Sequence, residues 1–279
     1  MNTRNIRKGA KKVLESGQDL ISNIISEAIN TVTGDTTGIS GTIGGNASCK
    51  VIQVIADKLD PCQLTEWEKQ RVVNCMVSAI DKVKEQLNNG NKLRDDGFFE
   101  ENLEGKANAE EVFESIVIAS QREAEEMKQI FYGNMLANIG FIQYLDSEEF
   151  LFLLKVFEKL TYRQCLLLSI FLTNTISIKE GIHSFLTNKN PIEGTVDIKT
   201  VILYQEILDL YQKSLLFTTG NIPLSVKHII PSELYTYAMG LSIIELTQVD
   251  HIVSTNQRLA DKHLKNLKEL TELLLIKSN

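Results

Sequence analysis

Proline is scarce in this sequence, which has 4 prolines among 279 residues. Proline lacks a backbone N–H group and breaks helices, so a chain with few prolines has few forced breaks. This favours long helices over a loop-rich β fold. Hydrophobic residues make up 43% of the chain and charged residues 23%, which is ordinary for a packed globular protein. We therefore predict a mainly α protein with one large domain or two smaller ones.

The sequence also lacks the motifs of metal, nucleophile and nucleotide chemistry. None of its four histidines lies three or four residues from another, and no HExxH or Glu-x-x-His pattern occurs. The glycine-rich stretch 34–45 contains neither Gly-Lys-Ser/Thr nor GxGxxG, and the chain has no GxSxG elbow. The acid pairs Glu111/Glu114 and Glu123/Glu126 are interpreted as solvated helix faces. We predict a protein that is not an enzyme and uses no metal or cofactor.

Cysteine is sparse and widely spaced, and no CxxC pair occurs. A chain of this size with so few cysteines is unlike a disulfide-stapled secreted domain. We therefore predict that Cys49, Cys62, Cys75 and Cys165 are free, mostly buried thiols in a reducing compartment. A dyad of Cys165 with His183 remains an open alternative, although burial of Cys165 among leucines would suppress its reactivity.

Neither a secretory signal nor a membrane span is predicted. The apolar residues near the N-terminus are interleaved with Glu15, Gln18, Asp19 and Asn23, whereas a signal peptide needs an uninterrupted apolar core. The uncharged stretch 164–178 is shorter than the roughly 20 residues that a spanning helix requires. The predicted location is cytoplasmic, with peripheral attachment to a membrane as the alternative.

Basic residues are in the minority, with a net charge of −7 and an isoelectric point near 5.3. Such a chain repels nucleic acid on average, so binding to DNA or RNA is not expected without a local basic patch. One patch exists, within the first twelve residues. Its members are the candidate contacts with a membrane or an anion: Arg4, Arg7, Lys8, Lys11 and Lys12.

This basic patch heads a predicted amphipathic helix over residues 3–32, which a Gly/Thr/Ser-rich linker follows up to residue 45. Residues 1–33 could lie on an anionic membrane surface. Alternatively, the apolar stripe packs on the body of the protein and the basic head stays in water. The second interpretation is favoured because Glu15, Asp19 and Glu27 weaken attraction to anionic lipid.

Residues 46–145 are predicted to form a helical domain. Thr65 and Glu68 have the spacing of a capping box, so we expect a helix to begin there, with Trp67 on its apolar face. The charged residues 92–107 lack a clear period and are interpreted as a mobile connection. The predicted helices of this domain cover residues 47–59, 65–87 and 108–142.

Residues 147–250 follow a different pattern. The predicted elements are helices at 148–160, 161–171, 178–186 and 198–216, a strand-like pair within 215–230, and a helix at 236–246. The segments Tyr204–Leu216 and Ser232–Leu246 resemble the winged-helix sequence segments that surround the two wing strands. Here, however, Thr236 and Gly240 lie one residue further apart than the corresponding threonine and glycine of the usual winged-helix sequence pattern.

The resemblance covers about 161–250 and implies a winged-helix-like domain over 147–250 with a small β wing. A C-terminal amphipathic helix is predicted within 251–279, at about 255–277. Its predicted apolar face consists of Leu259, Leu264, Leu267, Leu270 and Leu274. A winged helix that reads DNA places basic and amide side chains on its third helix, which corresponds here to residues 198–216. That helix has Ile198 and Ile202 on its predicted apolar face. Its candidate contacts are Lys199, Gln205, Gln212 and Lys213.

Charge decides between the functions of such a module. Residues 147–250 contain 11 acidic and 8 basic residues, which favours contact with protein over contact with phosphate. We therefore predict a non-enzymatic protein-interaction or regulatory protein that binds a protein partner or itself. One alternative is a membrane-acting effector that uses residues 1–45, by analogy with bacterial self-killing and phage-defence proteins. The other is a DNA-binding transcription regulator.

Overall fold

The computed structural model describes residues 65–100, 107–180, 186, 197–218, 220–251 and 257–275. The predicted helices at 3–32 and 47–59 and the linker between them lie outside these ranges. The chain divides into two compact units, of which the first ends at Glu158 and the second begins at Lys159. The described residues form eight α-helices and one two-stranded sheet, so the prediction of a mainly α protein is confirmed.

Four helices form the described part of the first unit. They are α1 (Glu66–Asn88), α2 (Asn108–Arg122), α3 (Glu126–Asn138) and α4 (Ser147–Glu158). Helix α4, which the sequence analysis grouped with the winged-helix-like segment, therefore belongs to the first unit.

Helix α1 begins at the predicted capping box. The Glu68 amide donates to the Thr65 hydroxyl over 3.3 Å, and the Thr65 amide donates to the Glu68 carboxylate over 2.8 Å. These two bonds satisfy N–H groups that have no partner inside the helix. The placement of Trp67 on the apolar face was wrong, because its side chain is exposed in the first turn.

The single helix predicted over 108–142 is two helices, α2 and α3, with a break at residues 123–125. The reason is a side chain that replaces helical hydrogen bonds. The side-chain amide of Gln129 donates to the backbone carbonyl oxygens of Ser120 at 3.2 Å and of Glu123 at 3.0 Å. Because these carbonyls find a partner outside the helical ladder, the chain turns after α2 without leaving them unsatisfied.

Helices α1 and α3 pack closely at Gly133. A methyl group placed on Gly133 would lie 2.4 Å from the carbonyl oxygen of Cys75 and 2.8 Å from the amide nitrogen of Ala79. Only a residue without a side chain permits this approach of two helix backbones. The apolar core of the unit surrounds the contact and includes Met76, Ile80, Ile116, Phe131 and Met135.

The residues predicted to be a mobile connection, 92–107, pack against the rest of the first unit where the structure describes them. Arg94 is buried, and its guanidinium donates to the carbonyl oxygens of Ile139 at 3.3 Å and Leu145 at 3.0 Å. It also pairs with Asp96 and lies 4.3 Å above the ring of Phe98. A charged stretch without periodicity is therefore part of the packed unit here, because one arginine satisfies several buried carbonyls. Residues 101–106 lie outside the described residues.

The second unit contains four described helices and the small sheet. The helices are α5 (Tyr162–Lys179), α6 (Ile198–Gln212), α7 (Met239–Thr247) and α8 (Gln257–Leu275). Helix α5 continues beyond the end predicted at residue 171 and takes in the first residues of the helix predicted at 178–186. Residues 181–185 of that predicted helix lie outside the described residues.

Strands β1 (Leu216–Thr218) and β2 (Leu234–Thr236) pair antiparallel, with Phe217 opposite Tyr235. A β wing was predicted within 215–230, and its first strand is there. The second strand lies further along the chain, because 3₁₀ turns at Val226–His228 and Pro231–Glu233 occupy the intervening stretch. Proline cannot donate to a strand ladder, which is consistent with a turn at Pro231.

Buried polar side chains fasten strand β2 to helix α5. The side-chain amide of Asn174 donates to the carbonyl oxygen of Leu234 over 2.9 Å. The backbone N–H of Thr236 donates to the Thr175 hydroxyl over 3.0 Å. The Thr236 hydroxyl donates to the carbonyl oxygen of Leu168 over 3.1 Å. The edge of β2 is therefore satisfied within its own unit, and the orientation of the sheet is fixed relative to α5.

The predicted C-terminal helix is confirmed as α8, but one of its leucines was misplaced. Leu270 and Leu274 are buried as predicted, together with His263. Leu264 is exposed, although the sequence analysis put it on the same apolar face. Five leucines at helical spacing do not identify which of two neighbouring stripes meets the body of the unit.

Candidate protein-interaction surface

The outer face of the two-stranded sheet carries three aromatic rings. The ring of Phe217 lies 5.5 Å from that of Tyr235 and 5.7 Å from that of Tyr237, measured between centroids. Phe217 is 49% exposed and Tyr237 is 56% exposed. Burial, and next the neighbouring Tyr237, raise the pKa of the Tyr235 phenol, so that side chain is uncharged at neutral pH. We call Phe217, Tyr235 and Tyr237 the wing face.

The loop between the strands extends this apolar character. Ile222 and Leu224 are 67% and 77% exposed, which is unusual for two large aliphatic side chains so close in sequence. The loop has a defined conformation, because the Leu224 amide donates to the Nδ1 atom of His228 over 3.3 Å. Helix α6 also packs against strand β1 and the 3₁₀ turn of this loop.

The predicted interaction residues of α6 have different surroundings. Lys199, Gln205 and Gln212 are exposed. Lys213 is half-buried and pairs with Asp209, which also accepts a hydrogen bond of 2.6 Å from the Gln164 amide. Lys213 is therefore occupied inside its own unit.

The apolar face predicted for α6 was partly wrong. Ile198 and Ile202 are exposed, whereas Leu203, Ile207 and Leu210 are buried. The outward stripe of the helix thus consists of Ile198, Ile202 and Gln205, four and three residues apart. Two of the three side chains in this outward stripe are therefore isoleucines, whereas a helix that reads DNA presents mainly basic or amide groups.

The two units differ in charge. The described residues of the first unit include 17 acidic and 9 basic residues, whereas those of the second unit include 10 of each. A surface on the second unit therefore has no excess of positive charge to attract phosphate, and no strong negative charge to repel another acidic protein.

A buried ion pair is the main polar feature of the first unit. The Lys128 ammonium, which is almost fully buried, lies 2.5 Å from the Glu123 carboxylate. The rings of Tyr132 and Phe157 surround it, with centroids 5.7 Å and 5.0 Å from the nitrogen. The interpretation of Glu123 as part of a solvated face was therefore wrong. This pair links the break after α2 to helix α3, and the Lys128 ammonium also donates to the carbonyl oxygen of Glu158 in α4 over 3.5 Å.

The first unit also contains a small apolar cavity of about 40 Å³. Phe98, Phe99, Phe113 and Leu136 contribute to its wall, and no charged or hydrogen-bonding side chain lines it. Binding pockets for small molecules usually combine an apolar wall with a few polar groups that orient the ligand. The cavity has no such groups to orient a reacting molecule.

Cys75 and Cys165 are free and buried, as predicted for these two cysteines. Burial raises the pKa of the Cys75 thiol to about 12, so it is neither a nucleophile nor a metal ligand at neutral pH. The other two cysteines and His183, the proposed partner of Cys165, lie outside the described residues. Among the residues that are described, no three His, Cys, Asp or Glu side chains cluster as metal ligands.

The basic candidates Arg4, Arg7, Lys8, Lys11 and Lys12 lie outside the described residues, so membrane binding through residues 1–33 stays a prediction. Within the described ranges, no helix combines the length and apolar character needed to cross a bilayer. Comparison of the chain with protein-family models, with curated proteins and with solved structures gave no significant match.

The surface that this geometry supports best is thus one that the sequence analysis missed. Its signal was present as the alternation of Tyr235 and Tyr237, which places two rings on the same side of a strand. The register then adds Phe217 from the neighbouring strand. Such a face of packed aromatic rings can bury apolar area against another protein at little cost in side-chain entropy.

Proposed function

We propose that this chain is a non-enzymatic protein-interaction or regulatory protein and that its second unit is a winged-helix-like module. Supporting the second point, helices α5 and α6 are followed by an antiparallel strand pair and then by helix α7. In a winged helix the wing strands likewise follow the third helix, in this case α6. A fold of this kind does not by itself define a function.

The observation that carries the proposal is the wing face, with Ile222 and Leu224 beside it in the chain. Aromatic residues are enriched at the centres of protein interfaces, where they bury a large area in a well-packed environment. A wing that contacted DNA would need several basic side chains for the phosphates. The described residues of this wing offer three aromatic rings and two exposed aliphatic side chains beside one lysine, Lys227. The expected ligand is therefore an apolar patch on another protein.

The test compares partner capture by the tagged full-length chain and by the double variant Phe217→Ser, Tyr237→Ser. The control variant is Phe152→Ser, which removes a comparably exposed ring from the first unit. The expected result is a partner that the unchanged chain and the control retain, and that the double variant loses at least tenfold, in line with two aromatic contacts at about 1 kcal/mol or more each. Circular dichroism and thermal unfolding must first show that all three proteins are folded.

Two results would contradict the proposal. The first is capture that does not depend on Phe217 and Tyr237, because the wing face would then have no role. The second is turnover of a nucleotide or nucleic acid by the purified chain, because it would establish an enzyme. Salt-dependent affinity for duplex DNA would instead favour the transcription regulator.

A further inference from the structure

Helix α8 presents two different apolar stripes. His263, Leu270 and Leu274 form one stripe and are buried in the second unit. Leu264 and Leu275 form the other, which lies about 100° around the helix from the first. Leu264 is 63% exposed, so this stripe is not used within the described part of the unit. The two leucines lie eleven residues apart, roughly 16 Å along the axis.

The charges on α8 are separated along its length. Residues 257–268 contain four bases and one acid, whereas residues 269–275 contain two acids and no base. A helix with one basic and one acidic end matches a second copy of itself when the two run antiparallel. In a parallel pair, the basic halves would lie side by side and repel each other.

We infer that α8 pairs antiparallel with α8 of a second copy of this chain, through the stripe that contains Leu264 and Leu275. With the two-fold axis midway between Glu269 and Leu270, Leu264 of each copy meets Leu275 of the other. The same register brings Lys268 of each copy within about 1.5 Å, along the axis, of the level of Glu272 in the other copy. Both residues lie on the same flank of the stripe, so two reciprocal ion pairs form.

The contact area limits the strength of this dimer. Two leucines and their flanking residues bury well below the roughly 800 Å² per partner of a standard interface. We therefore expect a weak, concentration-dependent dimer with a Kd of roughly 10 to 500 µM. The inference is independent of the wing face, and the capture experiment above can fail while this one succeeds.

The first test measures the mass of the full-length chain by sedimentation velocity from about 5 µM to about 500 µM. The variant Leu264→Gln should weaken dimerisation about tenfold or more, because it places an amide against Leu275 of the other copy at both ends of the seam. Leu273→Gln is the matched control, because Leu273 is 39% exposed on another side of the same helix. It should leave the dimer unchanged.

The second test identifies the antiparallel register. Lys268→Glu and Glu272→Lys should each weaken the dimer about fivefold, because each places like charges together twice. The double variant Lys268→Glu, Glu272→Lys should restore the original affinity. The inference is overturned by a monomer over the whole concentration range, by a dimer indifferent to Leu264→Gln, by equal weakening from Leu273→Gln, or by a charge swap that fails to restore association.

Discussion

The phenol oxygen of Tyr162 lies 2.9 Å from the Nδ1 atom of His263, and both side chains are buried. Tyr162 begins α5 and His263 lies in α8, so this hydrogen bond connects the first and last described helices of the second unit. A neutral imidazole suits the site, because a buried histidine would have to give up the hydration of its positive charge.

Acid should destabilise the second unit through His263. Burial lowers the pKa of His263 to about 4, and a backbone hydrogen bond to Val249 only partly opposes this effect. The unfolded chain, with a pKa near 6.5, therefore binds more protons than the folded chain between these values. The stabilisation is complete above about pH 6.5 and falls by about 3 kcal/mol as the pH drops to about 4.

Urea unfolding at several pH values measures this effect. The variant His263→Gln keeps a polar side chain at the position but cannot titrate. Its free energy of unfolding should fall less steeply between about pH 6.5 and about pH 4 than that of the unchanged chain. Parallel curves for the two proteins would show that His263 is not the group responsible.

Breaking the buried ion pair should cost more than removing it. Glu123→Gln leaves the Lys128 ammonium buried without a carboxylate and should reduce stability by about 3 kcal/mol. Adding Lys128→Met to this variant should recover part of the loss, because no buried charge then remains. A double-mutant cycle by urea unfolding measures the coupling, for which we expect about 2 kcal/mol.

The matched control for this cycle is the surface pair of Lys69 and Glu66, whose atoms lie 2.7 Å apart with Glu66 largely exposed. Glu66→Gln should change stability by less than about 0.5 kcal/mol, because water screens an exposed pair. Equal losses from Glu66→Gln and Glu123→Gln would mean that burial of the Lys128 pair has no energetic consequence.

Gly133→Ala should disrupt the first unit. The added methyl group would lie 2.4 Å from the carbonyl oxygen of Cys75, so α1 and α3 would have to separate. We expect a loss of about 3 kcal/mol or more. In the control Gly140→Ala the nearest atom lies 3.2 Å away, and the expected loss is below about 1 kcal/mol. Thermal unfolding of both variants compares the two sites, and similar melting temperatures would contradict the close packing at Gly133.

Native Cys75 should resist alkylation. Burial, only partly opposed by a hydrogen bond with Ser120, raises the pKa of its thiol to about 12, and the thiolate is the reactive species. Iodoacetamide at neutral pH should modify Cys75 only after denaturation, as peptide mapping by mass spectrometry would show. Modification in the folded protein as fast as that of a free thiol would indicate that the site opens.

Local sequence signals predicted the helical elements well where neighbouring residues determine the backbone conformation. The capping box at Thr65 has the same residues and bonds in the structure as in the prediction. The long amphipathic pattern of the C-terminal segment also predicted a helix where the structure describes α8. Both signals depend on residues within one or two helical turns, so no distant contact is needed to interpret them.

Predictions failed where a distant side chain decides the outcome. The side chain of Gln129 ends α2 because it donates hydrogen bonds to backbone carbonyls six and nine residues earlier. The buried guanidinium of Arg94 donates to a backbone carbonyl more than forty residues later in the chain. The exposed stripe of α6 was misassigned because periodicity shows that a helix has an apolar side but not which part of it the rest of the unit covers.

The sequence by itself determined that this protein is mainly α, where several helices begin, and that a short strand follows the helix at 198–212. Those properties follow from local propensity, capping and the scarcity of proline. Only the tertiary structure decided that Phe217, Tyr235 and Tyr237 form one exposed face and that Leu264 lies outside the core. Strand register and the docking of a helix depend on which surfaces meet, and the order of residues along one segment does not specify this.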